Sequence, residues 1–298
     1  MSFSSDVKTE LCDIRLPECS KMPICYGFLL FSRSFSVEGI KMQTETEAVA
    51  NLFKRLIKEV YSVDCTIKSS TGKRTVYRLN VANEAERLKL LASVDFGIYE
   101  GKINREILSI DCCRAAFIRG AFLACGQISS PEKGCRVDFL IRDKLKAEEF
   151  KELLGENYIE TNLTKRQNGY VVYIKRNEMI TNLLTLMGAS TRSLELIENS
   201  ILKSVKNNIN RARNCDNANL DRMVEASLKQ RIAIEYLKVN GFLETLPEEL
   251  IKTANLREDN PEASIKELCY IAGGDISASG FNHRLKKLVD IYKEKTGR

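Results

Sequence analysis

The 298-residue sequence predicts an α+β domain with internal pseudo-twofold symmetry, followed by an all-helical domain that ends in a helix-turn-helix. Three observations predict it. The order helix–strand–strand–helix–strand–strand–helix occurs twice in the first two-thirds of the chain. Gly27 and Gly120 hold matching places in the two copies, 93 residues apart. After residue 220 the strand periodicity disappears and only helical patterning remains. The boundaries this gives are a domain at 1–190, a linker at 191–219 and a second domain at 220–298.

The elements follow in order. A first helix is expected at about 4–15. The apolar segment ICYGFLLFSR (24–33) opens the first copy, and SFSVEGIKMQT reads as the strand after it. Thr44 with Glu47 reads as a capping box, and Val49, Leu52, Phe53, Leu56, Ile57 and Val60 line one face of the helix that follows. VDCTIKSS and RTVYRLNV read as hairpin strands around a turn containing Gly72. Asn83 and Glu86 cap a closing helix at 83–92.

The second copy opens with FIRGAFLACGQI (117–128). As a helix it places Gly120 and Ala124 four apart on one face, with Gly126 as its stop. A mid-helix glycine costs roughly 1 kcal/mol relative to alanine, so Gly120 points to a close backbone approach. RVDFLIR is the next strand and DKLKAEEFKELLG the next helix. YIETNLTK and GYVVYIK form a hairpin around Asn168–Gly169, and NEMITNLLTLMG closes the copy.

Residues 190–219 are rich in Asn, Ser and Arg, and KSVKNNINRARN is free of acids. They read as a linker with partial helix. Its Arg211 and Arg213 either track a DNA backbone or are simply solvated. A long helix is expected at about 219–239. A second begins with Pro247 at its first position, and two more follow Pro261.

Composition narrows the function classes. With 44% apolar and 29% charged residues the chain reads as globular. No stretch approaches the roughly 20 apolar residues of a membrane span. The N-terminus has acids and no apolar core, which predicts no signal peptide and a cytoplasmic location. None of the ten cysteines forms a CxxC pair and His283 is the only histidine, so neither a zinc site nor any other metal or cofactor is expected. The cysteines read mostly as small core residues in a reducing compartment; the adjacent Cys112 and Cys113 suit neither a disulfide nor a paired metal site. A net charge of +6 and a pI near 8.7 permit nucleic-acid binding without requiring it.

The last segment carries the chemistry. In PEASIKELCYIAGGDISASGFNHRLKKLVDIY (261–292), a helix at about 262–272 buries Ile265, Leu268 and Cys269. The GGD turn supplies glycines for a sharp bend, and Ser277 caps the next helix. There Phe281, Leu285 and Leu288 share one face, while Ser279, Asn282, His283, Lys286 and Lys287 share the other. A helix-turn-helix places such a second helix in the major groove. Asn pairs with adenine and Lys with guanine or phosphate. An ordinary helical hairpin with a solvated basic face has the same spacing. Lys293, Lys295 and Arg298 fit phosphate contacts and a charged terminus equally.

CYGFLLFSR (25–33) and IRGAFLACG (118–126) resemble the two signature helices of LAGLIDADG homing endonucleases, in which small residues let the helices cross closely. With the NRARNCDNAN linker and the LPEELIKTANLREDNPEASIKELCYIAGGDISASGFNHRLKKL segment, nearly the whole chain resembles the WhiA family of bacterial regulators of sporulation and cell division. The resemblance implies a degenerate LAGLIDADG-like domain joined to a helix-turn-helix domain similar to sigma-factor region 4. It implies binding to double-stranded promoter DNA in the cytoplasm, at the nucleoid, with RNA polymerase sigma factor or another regulator as protein partner. In active enzymes of the LAGLIDADG class the acid before each final glycine binds Mg²⁺. Ser32 and Cys125 stand at those positions, and Arg33 replaces the first glycine. A hydroxyl and a thiol are poor Mg²⁺ ligands, so no catalytic residue and no nuclease activity are expected.

The expected DNA contacts are Ser277, Ser279, Asn282, His283, Arg284, Lys286 and Lys287, with Asn282, His283 and Lys286 nearest the bases. Arg211 and Arg213 join them from the linker, and Arg74, Arg78, Lys165 and Arg166 offer basic groups on the N-terminal sheets. Two rival readings differ in class. A site-specific endonuclease needs acids at the ends of both signature helices; Asp138 and Glu38 lie nearby on strands but at neither motif position, and Mg²⁺-dependent cleavage abolished by Asp138→Asn would revive that reading. A cell-division scaffold would bind without the steep salt dependence of phosphate contacts.

Overall fold

The structure is a computed structural model. It describes every residue except 1, 73, 100, 101, 132, 133, 275 and 298, and omits the side chain of Ile98. Asp275 of the expected GGD turn and Arg298 of the basic tail lie outside the described residues. The chain divides into two compact units, 1–203 and 204–298.

In the first unit, α1 (Phe3–Asp13) precedes the first copy of the repeat. That copy is α2 (Glu18–Leu30), β1 (Ser34–Ser36), β2 (Gly39–Thr44), α3 (Glu47–Tyr61), β3 (Thr66–Thr71), β4 (Thr75–Val81) and α4 (Glu84–Ala92). After the short helix α5 (Phe96–Tyr99) comes the second copy. It is α6 (Asp111–Cys125), β5 (Gly126–Ile128), β6 (Val137–Ile141), α7 (Lys144–Glu156), β7 (Asn162–Arg166), β8 (Gly169–Ile174) and α8 (Asn177–Met187). The two antiparallel sheets have the same order, β1-β2-β4-β3 and β5-β6-β8-β7. This is the expected α+β fold with pseudo-twofold repetition.

Alternation explains the sheets. In β6, Val137, Phe139 and Ile141 point into the core while Asp138 and Leu140 do not. The central helices α2 and α6 are buried on nearly every side: Ile24, Cys25, Phe28, Leu29, Phe117, Ile118, Ala121, Phe122 and Leu123 are inaccessible to solvent. Such all-round apolar helices belong in a core.

Several local expectations are corrected. SFSVEGIKMQT is a hairpin, not one strand: Ser36 pairs with Gly39, so the chain reverses at Val37–Glu38. Thr44 is not a helix cap. It pairs with Tyr77 at the end of β2, which commits its backbone to the sheet. Its hydroxyl accepts from the Thr46 amide at 3.2 Å, and α3 starts after Thr46. The helix read at 117–128 begins earlier, at Asp111, and ends at Cys125; Gly126–Ile128 is already strand. The second hairpin turns on Gln167–Asn168, because Arg166 pairs with Gly169. Five of the ten cysteines are buried, while Cys19, Cys112 and Cys215 are exposed.

The segment 191–219 is helical throughout, within α9 (Ser190–Val239), a helix of 50 residues. Residues 201–222 are all exposed, so no packing imposes the helix there. Both ends are anchored, and extending a formed helix costs far less than nucleating one. At the start, the Glu10 carboxylate of α1 accepts from the Thr191 and Arg192 amides at 2.7 and 3.1 Å. These are the orphan donors of a helix N-terminus.

The second unit continues with α10 (Glu248–Asp259), α11 (Ile265–Ile271) and α12 (Ala278–Thr296). Pro247 is the residue before α10, one position earlier than expected. Its core is Ile234, Leu237, Leu243, Leu250, Ala254, Leu268, Cys269, Phe281, Leu285 and Leu288. Arg257 is almost fully buried, donating to the Ala263 carbonyl at 2.7 Å. Ser227 donates to the Pro261 carbonyl at 2.6 Å. Both fix the loop between α10 and α11.

Candidate nucleic-acid interface

The α11–turn–α12 motif is built from caps and glycines. Ser264 and Glu267 form a reciprocal capping box at the start of α11, a signal already present in the sequence as Ser-x-x-Glu. Gly273 and Gly274 take positive φ, 95° and 79°, which L side chains rarely adopt. Ser277 accepts from the Gly280 amide at 3.1 Å and so caps α12. Phe281, Leu285 and Leu288 are inaccessible to solvent, which fixes the rotation of α12 about its axis.

That rotation decides which side chains face outward. Ser277, Ser279, His283, Lys286 and Lys287 are exposed, and Asn282 is half-buried. They form one continuous surface over the first half of α12. Among the described residues Lys286 and Lys287 have no carboxylate partner. Arg284 differs: it is half-buried and ion-paired with Glu249 of α10 at 2.7 Å. Of the tail lysines, Lys293 pairs with Asp290 at 3.5 Å and Lys295 lies 4.9 Å from the Phe242 ring centroid. On α11, Tyr270 is 86% exposed, beside a half-exposed Ile271. Tyr270 was not among the expected contacts; an aromatic at a position the helical pattern leaves outside is the signal that identifies it. Arg211 and Arg213 are exposed on α9.

The first unit has its own basic surface. The ends of α2 and α6 open on a cleft of about 1540 Å³ whose lining includes Lys8, Arg33, Glu45, Arg74, Arg142 and Lys146. Arg74 pairs with Glu45 at 3.0 Å, and Arg78 donates to Ser70 at 2.8 Å. Lys165 and Arg166 are exposed. Burial holds Lys146 below the usual lysine range.

The two positions expected to have lost their acids both line this cleft. Ser32 lies past the end of α2, and its hydroxyl donates to the Ser34 carbonyl at 2.9 Å. Cys125 is the last residue of α6, its thiol pushed up to about 12 by burial. Beside it Lys8 of α1 donates to the Leu123 carbonyl at 3.4 Å. Burial lowers the Lys8 pKa, with Cys125 the largest opposing influence. A lysine amine and a thiol therefore stand where a nuclease needs carboxylates, and Mg²⁺ takes oxygen ligands. Asp138 is engaged elsewhere, paired with Arg136 at 2.7 Å. Glu38 sits in the β1–β2 turn, where hydrogen bonds from Ser36 and its own backbone lower its pKa. Among the described residues no group of three or more His, Cys, Asp or Glu is placed to hold a metal ion. Nor is any helix long and apolar enough to cross a membrane.

Comparison with known proteins follows the same two units. Residues 114–206 match the family model of the WhiA LAGLIDADG-like domain, and residues 209–292 that of the WhiA C-terminal HTH domain. The chain is 36% identical over 305 residues to a probable cell division protein WhiA of Ruminiclostridium cellulolyticum, covering 98% of this chain and 97% of the relative. It is 34% identical over 310 residues to a probable cell division protein WhiA of Bacillus velezensis, covering 99% and 97%. Among solved structures it is similar to full-length DUF199/WhiA from Thermatoga maritima, with a TM-score of 0.61, 22% identity and 99% of each chain covered.

Proposed function

The chain belongs to the WhiA family, and from that premise we propose that it is a sequence-specific DNA-binding regulator of transcription in sporulation and cell division, acting in the cytoplasm on promoter DNA and cutting nothing. The observation that carries this reading is the outward face of α12. Its buried Phe281, Leu285 and Leu288 turn Ser279, Asn282, His283, Lys286 and Lys287 to one side. A helix so presented enters the major groove with its N-terminal residues at the base edges. Asn282 supplies the paired donor and acceptor that read adenine, and Lys286 a donor for guanine. His283 lies between them. Ser277 and Ser279 serve phosphates at the positive end of the helix dipole, and Lys287 serves one through its own charge. Arg284 reaches a phosphate only by leaving or sharing Glu249. Arg211 and Arg213 add charge from α9. Tyr270 and Ile271 offer an apolar handle for a protein partner such as a sigma factor.

The absence of nuclease chemistry rests on Ser32, Cys125 and the neighbouring Lys8. The packing function of the signature helices is intact while their ends carry no carboxylate, so fold and activity part company here.

The test is binding of the full chain to promoter and random duplexes at two salt concentrations, with Mg²⁺ present and strand lengths checked. Preference for the promoter, a steep fall with salt and intact DNA support the reading. Equal binding of both duplexes removes the regulator assignment, and Mg²⁺-dependent cleavage lost in Asp138→Asn replaces it with an endonuclease.

A further inference from the structure

Cys19 and Cys112 are related by the same 93-residue offset as Gly27 and Gly120. Each is the second residue of its helix, α2 and α6 respectively. Both are exposed, and their sulfurs lie 3.6 Å apart. The pseudo-twofold relation that brings the glycines together thus also brings two accessible thiols together at the helix starts. Cys113, next in sequence, donates to the Cys19 carbonyl at 3.6 Å and is buried, so of the three thiols only Cys19 and Cys112 are exposed.

We infer that Cys19 and Cys112 are a redox modification site, a dithiol that a peroxide converts to a disulfide joining the two halves of the first unit. A disulfide needs sulfurs about 2.05 Å apart, so each helix start moves by less than about 1 Å. Exposed first turns tolerate such a shift, whereas the crossing at the glycines does not. The hydrogen bond to Cys19 is the main reason the Cys112 thiol is pushed up to about 11, so Cys112 takes the resolving role and Cys19 the first attack. The Cys19 thiolate attacks one peroxide oxygen, the O–O bond breaks, and Cys19 becomes a sulfenic acid as hydroxide leaves. That hydroxide takes up the proton Cys19 had released and becomes the first water; the Cys112 sulfur then attacks the Cys19 sulfur, the Cys112 proton goes to the sulfenic oxygen, and the second water leaves as the S–S bond forms. Two thiols are oxidised and one peroxide is reduced to two waters. A thiol reductant reverses the step by exchange.

The inference does not rest on the DNA-binding reading, since neither cysteine is among the residues assigned to DNA. Its test uses the full chain, reduced and then treated with hydrogen peroxide. Digestion without reductant should give one cross-linked peptide pair holding Cys19 and Cys112, and the intact mass should fall by two hydrogens. Cys112→Ser should stop at a sulfenic acid on Cys19, trapped by dimedone, and Cys215→Ser should behave as wild type. Oxidised wild type should also unfold at a higher temperature than reduced, a rise absent in Cys112→Ser. Cross-links among other cysteines without the 19–112 pair, or a loss of two hydrogens that persists in Cys112→Ser, would overturn the inference.

Discussion

Gly27 and Gly120 face one another across the crossing of α2 and α6, each with its α-carbon against the other helix's backbone. A Cβ on Gly27 would press on the Phe117 carbonyl oxygen and lie 2.9 Å from the Ala121 nitrogen. A Cβ on Gly120 would press on the Ile24 carbonyl oxygen and lie 3.0 Å from the Phe28 nitrogen. These neighbours are backbone and cannot swing aside. Gly27→Ala and Gly120→Ala should each destabilise the first unit by about 1–3 kcal/mol, the cost of overpacking a dense core. Gly155→Ala, on open space in α7, should stabilise by about 0.5–1 kcal/mol through helix propensity. Urea unfolding of the three variants separates these outcomes; equal effects at all three positions would refute the crossing.

Lys286→Ala should weaken promoter binding by about 1–3 kcal/mol and relax sequence preference, as expected for a base contact. Lys287→Ala should weaken promoter and random duplexes alike and lower the salt slope by about one. Anisotropy titrations with both duplexes at several salt concentrations decide the pair. An unchanged affinity and preference in Lys286→Ala would remove it from the reading face.

Glu10 holds the start of α9 from another helix. Glu10→Ala should cost about 1 kcal/mol, the usual worth of a helix cap, with faster hydrogen exchange at the Thr191 and Arg192 amides. Protection unchanged at both amides would mean that the helix start is held by other contacts.

Alkaline pH should unfold the protein through its buried thiols. Burial raises Cys12 and Cys125 to about 12 from a usual 9.0, and Cys65 to about 11. The unfolded chain therefore releases protons above 9.0 that the folded chain retains. The folded state then binds more protons, and stability falls as pH rises through that window. Lys8 acts with the opposite sign, its lowered pKa adding stability as pH approaches 10.5. Urea midpoints under reductant should decline from about pH 9 upward, and Cys125→Ser should decline less steeply. Parallel declines would show that Cys125 does not contribute.

The sequence determined what depends on neighbours a few residues apart. Periodicity located the helices and the alternating strands. The matched glycines located the crossing, and the spacing of Phe281, Leu285 and Leu288 set the outward face of α12. It also showed that Ser32 and Cys125 are not acids. Where local signals competed it misled: Thr44 looks like a cap until its backbone is taken by β2, and the Asn, Ser and Arg content of 191–219 reads as a linker although Leu194, Ile197, Ile201, Val205 and Ile209 recur at helical spacing. Only the tertiary structure decided the meetings of distant residues. It placed Lys8 on the Leu123 carbonyl across 115 positions, Glu10 on the Thr191 amide across 181, and Cys19 on Cys112 across 93. It also bound Arg284 to Glu249, which no spacing on α12 foretells. Such pairings are set by how whole elements pack, and packing depends on the shape of the complete core rather than on the pattern of any one segment.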